Sequence, residues 1–425
     1  MKRFLLIIML LMGPLWADTI NIEQAVKIGL ENNYNIKIAR NNNEKAKNTL
    51  KLRAGSLLPV ISAQGSIANT ETEYGTPGTA IPSSGAGAGA NGTAYTVGGS
   101  LGWTLFDGFR MFYAFSQVGE QAELSKQAAR HDIESGVVNI ITAYYNLASS
   151  RSLLRAADKQ LEISERQMQY IKTQHEYGRA AKRIILRQQV ILNTDSAFMA
   201  ARKLDAARAL HSLNTALGRR PEMFIEIAPD TSVDILDNDA AFWYKRARDH
   251  NAALKMAEIQ SNIAASQLGI ARAAFWPVIS AYGSYDKSLG DNEYVRTSTG
   301  LNLNLPLSAG FSRLTGIQNA KLDMTNAELS IRKKEQELEA LIYQQWELFN
   351  NASSQVKFER KAVALAEESM KLSEEQYKLS GLSDLQIREV QLSLLNARVR
   401  LESAFFQSKV VAVQLKQLAG ELKIE

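Results

Sequence analysis

The chain has 425 residues, of which 45% are hydrophobic, enough to bury a substantial core. Its net charge of +5 is small and scattered, which gives no basis for a nucleic-acid partner. There is no cysteine, so disulfides, a thiolate metal site and a lipid-bearing cysteine are all excluded.

Residues 1–17 read as a secretory signal peptide: Lys2 and Arg3, an apolar run from Phe4 to Met12, Gly13-Pro14, and a cut after Ala17. The run is about half the roughly 20 residues that a membrane-spanning helix needs. No later segment is long and apolar enough for such a helix. If the mature chain enters a membrane, it does so as β-strands.

The rest of the chain is a tandem duplication. Pro59-Val60-Ile61-Ser62-Ala63-Gln64-Gly65-Ser66 returns as Pro277-Val278-Ile279-Ser280-Ala281-Tyr282-Gly283-Ser284. In the same register Asn33, Lys37, Ala39 and Ala46 meet Asn251, Lys255, Ala257 and Ala264. Farther on, Tyr177, Val190, Leu192 and Ala197 meet Tyr377, Val390, Leu392 and Ala397, and Gly218 corresponds to Gly420. The pattern predicts a first repeat over 18–218 with a strand pair at about 59–107. A linker follows at 219–238, then a second repeat over 239–425 with a strand pair at about 276–309.

In chain order, each repeat opens with a helix, about 21–55 and 239–274. Ile22, Ala25, Val26, Ile28 and Leu30 set the helical spacing, and Pro59 and Pro277 stop the two helices. The next strand alternates, with Ile61, Ala63 and Ile67 opposing Ser62, Gln64 and Ser66. A polar loop over 69–93 contains a Gly-Ala run that lacks the Lys-Ser/Thr of a phosphate loop. Tyr95 to Leu105 alternates again. So does its counterpart, where Val295, Leu301, Leu303 and Leu305 oppose Arg296, Ser298, Asn302 and Asn304. About ten alternating residues match a tilted transmembrane strand, although the pattern also suits a soluble sandwich.

Segments 110–176 and 312–378 are free of proline and rich in helix formers, which predicts single helices of roughly 100 Å. In the second, Leu338, Leu341, Gln345, Leu348 and Ala352 step as a coiled-coil seam. The helices alone would also suit a solvated coiled coil; the strands favour a membrane protein. Trp103, Phe106 and Phe109, with Trp276 and Phe311 in the other repeat, cluster at strand–helix junctions as a membrane-interface aromatic band. Four strands cannot close a barrel, and an open edge cannot face lipid, so the chain must oligomerise. Three copies would supply twelve strands, above the minimum of about eight.

These features resemble the TolC-like outer-membrane efflux protein family over about residues 18–420. The local signatures are Leu57-Leu58-Pro59-Val60 with Phe275-Trp276-Pro277-Val278, Leu105-Phe106-Asp107-Gly108-Phe109, and Tyr377 to Leu392 followed by Asn396-Ala397-Arg398. The resemblance implies a mainly α fold with a small β part: long coiled helices from two tandem repeats plus four transmembrane strands per chain. It implies a homotrimer with a 12-stranded β-barrel on a 12-helix α-barrel, set in outer-membrane lipid with helices in the periplasm. It further implies docking to a periplasmic adaptor (membrane fusion) protein and an inner-membrane pump, with passive exit of the substrate and no cofactor. Small-molecule efflux and type I secretion would use the same duct.

By the same resemblance, the helix-hairpin tips at Tyr177–Arg183 and Tyr377–Ser383 lie at the periplasmic mouth. Ala180 and Ala181 with Gly381, Leu382 and Ser383 are the expected adaptor contacts, Ala180 standing where the family carries glycine. The family's acidic constriction falls on Gln386-Ile387-Arg388-Glu389, so Glu389 could supply one carboxylate ring, while Gln386 has lost the other. Asp384 is a nearby substitute at a different spacing. Arg183, with Arg179, Lys182 and Arg187, could pair with Asp384 and Glu389 of the adjacent hairpin and hold the mouth shut.

An enzyme is a poor reading, because His131, His175, His211 and His250 are far apart and show no metal or triad spacing. The alternative is a trimeric coiled-coil cell-envelope scaffold or surface fibre without a pore. Such anchors sit at one chain end, whereas here the strand pairs are internal to both repeats.

Overall fold

The computed structural model describes residues 19–70, 92–228, 238–290, 293–305, 311–379 and 381–422, with Ser232 and Leu236. The expected signal peptide, most of loop 69–93 and the end of the second strand pair lie outside the described residues. The chain is mainly helical with one small sheet of consequence, and divides into two compact units. One comprises residues 1–42, 127–255 and 333–425, the other 43–126 and 256–332.

The elements follow the duplication closely. β1 (Thr19–Ile20), α1 (Ile22–Asn32), α2 (Tyr34–Lys51), β2 (Val60–Thr70), β3 (Gly92–Phe106), α3 (Arg110–Glu176) and α4 (Lys182–Ala216) precede β4 (Glu226–Ile227). Then come α5 (Ala240–His250), α6 (Ala252–Ala273), β5 (Val278–Gly290), β6 (Tyr294–Asn304), α7 (Ser312–Lys378) and α8 (Asp384–Leu418). The long helices α3 and α7 are 67 residues each, and their return helices α4 and α8 are 35 each.

Each opening helix, expected to be continuous, breaks in two at Asn33 and Asn251. The reason is the same in both halves. Asn33 leaves the helical region (ψ 126°) and so does Asn251 (ψ 122°). Each side-chain oxygen then caps the next helix, accepting from Ile36 N–H at 3.2 Å and from Leu254 N–H at 3.1 Å. Each side-chain amide donates to the last turn of a return helix: Asn33 to the Ala216 carbonyl at 2.7 Å, Asn251 to the Leu418 carbonyl at 3.0 Å. Those return helices end in left-handed Gly218 (φ 69°) and Gly420 (φ 68°). A Cβ at Gly218 would sit 2.5 Å from the Asn32 carbonyl oxygen, so only glycine fits against the broken helix.

The core of the first unit gathers Ile36, Val137, Ile140, Tyr144, Leu147, Leu213 and Leu217. The Tyr144 hydroxyl sits between the Ile20 and Ala228 carbonyls, at 3.1 and 3.0 Å, where β1 and β4 pair in parallel. On α7 the buried stripe is Leu338, Ile342, Phe349, Ala352 and Val356, at steps of three, four and seven. Leu338 and Ala352 of the expected seam belong to this stripe, whereas Leu341 and Leu348 lie beside it and are 42% and 37% exposed.

In the second unit, β2, β3, β5 and β6 form an antiparallel sheet in the order β2-β3-β5-β6, leaving β2 and β6 as its edges among the described residues. Asp107, Gly108 and Phe109 turn the chain from β3 into α3. Gly108 (φ 70°) and Phe109 (φ 69°) are both left-handed, and a Cβ on Gly108 would lie 2.5 Å from that of Trp276. The Asp107 carboxylate accepts from Met111 N–H at 3.1 Å and caps the helix that follows.

Candidate functional site

The first hairpin tip closes at Gly178 rather than at Ala180. Gly178 is left-handed (φ 71°), its N–H donates to the His175 carbonyl at 2.9 Å, and Arg179 N–H donates to Gln174 at 2.8 Å. The His175 ring Nδ1–H donates to the Ala180 carbonyl at 2.6 Å. Ala181 is the N-cap of α4 and offers no side-chain hydrogen bond. Arg179, Lys182, Arg183 and Arg187 are all exposed, and no ion pair joins any of them to a described residue.

The second tip is built differently. Ser383 caps α8 in a reciprocal box with Gln386: the Gln386 side-chain oxygen accepts from Ser383 N–H at 2.9 Å, and Gln386 N–H donates to the serine hydroxyl. Gln386 is thus engaged in the cap. The Tyr377 hydroxyl donates to the Asp384 carboxylate at 2.7 Å. Burial and this carboxylate push the phenol well above its ordinary value, because ionisation would place two negative charges together. Gly381 N–H donates to the Gln376 carbonyl at 2.9 Å, Leu382 is half-buried and Glu389 is exposed.

Between these tips and the core lies a buried polar layer that sequence reasoning missed. Arg388 on α8 grips Asp195 on α4 through two bonds of 2.6 and 2.8 Å, with side-chain exposures of 12% and 5%. The Ser164 hydroxyl and the Gln160 amide, both from α3, also donate to Asp195. Gln160 reaches Gln391, and Gln391 reaches Gln167, each at 3.4 Å. Gln167 in turn donates to Tyr377. Both hairpins of the chain contribute. A buried pair of this kind adds little relative to apolar packing, but losing one partner costs about 3–5 kcal/mol. Exposed pairs are worth about 0–1 kcal/mol.

The sheet carries the decisive pattern. Ser62, Ser100, Ser284 and Ser298 are successive register partners across all four strands, and so are Gln64, Gly98, Asp286 and Arg296. One face is therefore mainly polar, with many small residues. By alternation, the other face takes Ile61 and Ile67, Val97, Leu101, Trp103 and Leu105, and Val295, Leu301, Leu303 and Leu305. These side chains are 39–77% exposed, with no layer of the described chain covering them. At the strand–helix junction Phe106 meets Phe109 at 5.5 Å and Trp276 at 6.3 Å, both edge-on. The Trp103 indole N–H donates to the Leu57 carbonyl, and Phe311 is 82% exposed.

An exposed apolar face backed by a polar one suits lipid on one side and water on the other. Comparison with known sequences agrees: the profile of the outer membrane efflux protein family matches residues 26–219 and 243–421. The chain belongs to that family. It resembles protein CyaE of Bordetella pertussis, 27% identical over 54% of this chain and 50% of that protein. The chain thus aligns with about half the length of that relative. It also resembles outer membrane efflux protein BepC of Brucella suis, 19% identical over 78% of this chain and 73% of BepC. Among solved structures, the CmeC outer membrane channel of Campylobacter jejuni shares the fold, with a TM-score of 0.76 at 16% identity over 94% of this chain and 85% of CmeC. As a member of this family the chain is an outer-membrane channel protein, not an enzyme. Among the described residues no helix is long and apolar enough to cross a membrane.

Proposed function

We propose that this chain is the exit duct of a tripartite export assembly. Three copies close a twelve-stranded barrel and a twelve-helix barrel, and a periplasmic adaptor joins them to an inner-membrane pump. The observation that carries this reading is the sheet: two free edges, an apolar face open to solvent, and a polar face behind it. Edges β2 and β6 would pair between copies, because hydrocarbon offers no other partner for their amides. The duplication, 18–218 and 239–425 with a linker between, gives each copy two hairpins and hence six tips to a ring. Trp103, Phe106, Phe109, Trp276 and Phe311 form the band at the inner lipid boundary. The pump supplies the energy, and the duct supplies a wet path for small molecules or polypeptides.

At the mouth, Glu389 supplies a ring of three carboxylates that draws cations and resists its own full ionisation. Asp384 is held by Tyr377 and Gln386 by its cap, which leaves Glu389 as the available acid of this stretch. Ala180, Ala181, Gly381, Leu382 and Ser383 meet the adaptor. Arg183, with Arg179, Lys182 and Arg187, faces the carboxylates of the next hairpin and restrains the mouth through pairs worth about 0–1 kcal/mol each. Conductance in planar bilayers tests the whole. The expected result is a trimer that passes current, with larger openings for Glu389→Ala and Arg183→Ala. A folded trimer without current would leave the scaffold instead, and a folded monomer that does not associate would overturn both readings.

A further inference from the structure

The register row Gln64, Gly98, Asp286, Arg296 crosses the polar face of the sheet in its outer half, toward the β5–β6 turn. Its members are not independent. The Gln64 amide donates to the Asp286 carboxylate at 3.4 Å, although Gly98 on β3 separates their strands. The contact passes directly over that glycine: a Cβ at Gly98 would sit 2.2 Å from the Asp286 oxygen. Gly98 is therefore the clearance that lets the carboxylate lie flat across β3. On the other side, Arg296 is the direct register partner of Asp286, and its guanidinium rests over the Tyr294 ring at 5.4 Å. Among the described residues no ion pair joins the two, although the register sets them side by side.

We infer that this row is a charge-selective rung on the water side of the duct, with Asp286 acting on cations and Arg296 on anions among permeating solutes. The inference rests on the duct reading, which puts the polar face toward the lumen. Around three copies the rung becomes a level of three carboxylates and three guanidiniums. Fixed charges within a Debye length of about 8 Å of a solute act on it even in physiological salt. Most of the rest of this face is serine, threonine, asparagine and glycine, so little else on these strands competes with the rung. Lys287, the neighbour of Asp286, belongs to the opposite face and should play no part.

The test is the reversal potential of the full-length channel in planar bilayers under a potassium chloride gradient. Asp286→Asn is expected to lower the potassium-to-chloride permeability ratio about twofold, and Arg296→Gln to raise it about twofold. Gly98→Leu, which displaces the carboxylate, should move the ratio in the same direction as Asp286→Asn. Lys287→Gln should leave it unchanged. Current with an unmoved ratio in both charge variants overturns the rung, as does an equal shift from Lys287→Gln. Absence of current in the unaltered protein would instead remove the duct reading on which the rung rests.

Discussion

In the helices near the tips, charge lies inside. Asp195 and Arg388 are buried while Leu186, Val190 and Leu385 on the same helices are 57–66% exposed. In the sheet, polar and apolar groups are sorted by side, and no layer of described residues covers the apolar side. The difference lies in who supplies the missing partners. The helical layer is satisfied by a single chain, because α3 and α8 both bring donors to the one carboxylate of α4. In the sheet the apolar side chains and the edge strands β2 and β6 find no partner among the described residues, and the proposed duct would supply lipid for the first and further copies for the second.

The contrast can be broken most sharply at the buried pair. Asp195→Asn leaves Arg388 buried against a neutral partner and should cost about 3–5 kcal/mol in thermal or denaturant unfolding. Asp195→Leu with Arg388→Met removes both charges and should recover most of that loss; failure to recover would mean that the charges themselves hold the hairpins. The sheet gives the next largest effect. Leu101→Arg on the apolar face should cost about 2–4 kcal/mol on refolding into vesicles, and Ser100→Arg on the other face much less. Equal costs would refute the sorting by side.

The smallest effect concerns the second tip. Tyr377 has a raised pKa in the folded chain, so its contribution to stability is complete below its unfolded value of about 10 and is lost as pH climbs beyond it. Tyr377→Phe should cost about 1 kcal/mol at neutral pH and show a shallower alkaline decline than the unaltered protein. An identical decline would mean that the phenol bears no such strain.

Much of the fold is legible in the residues because duplication writes it twice. Asn33 with Asn251 and Gly218 with Gly420 align in the sequence and perform the same bonds in space. Period-two alternation places the strand faces, since a pleated strand permits no other assignment. The helix break at the two asparagines was hidden, because asparagine within a helical pattern reads equally as a surface residue. The polar layer was hidden for another reason: Asp195 and Arg388 lie 193 positions apart, and each alone looks like an ordinary solvated helix charge. At the first tip Ala180 departs from the family pattern, while Gly178 two residues earlier supplies the left-handed turn. On α7 the expected Leu338 and Ala352 do turn inward, but between them Ile342 and Phe349 take the buried places that leucine spacing assigns to Leu341 and Leu348.

The matched lengths of the helices, 67 with 67 and 35 with 35, act as a ruler kept in duplicate. Inserting a heptad into one long helix alone would push its tip about 10 Å beyond the other. A viable change in reach therefore has to be written into both halves of the gene in step, and relatives of different length should carry paired insertions rather than single ones.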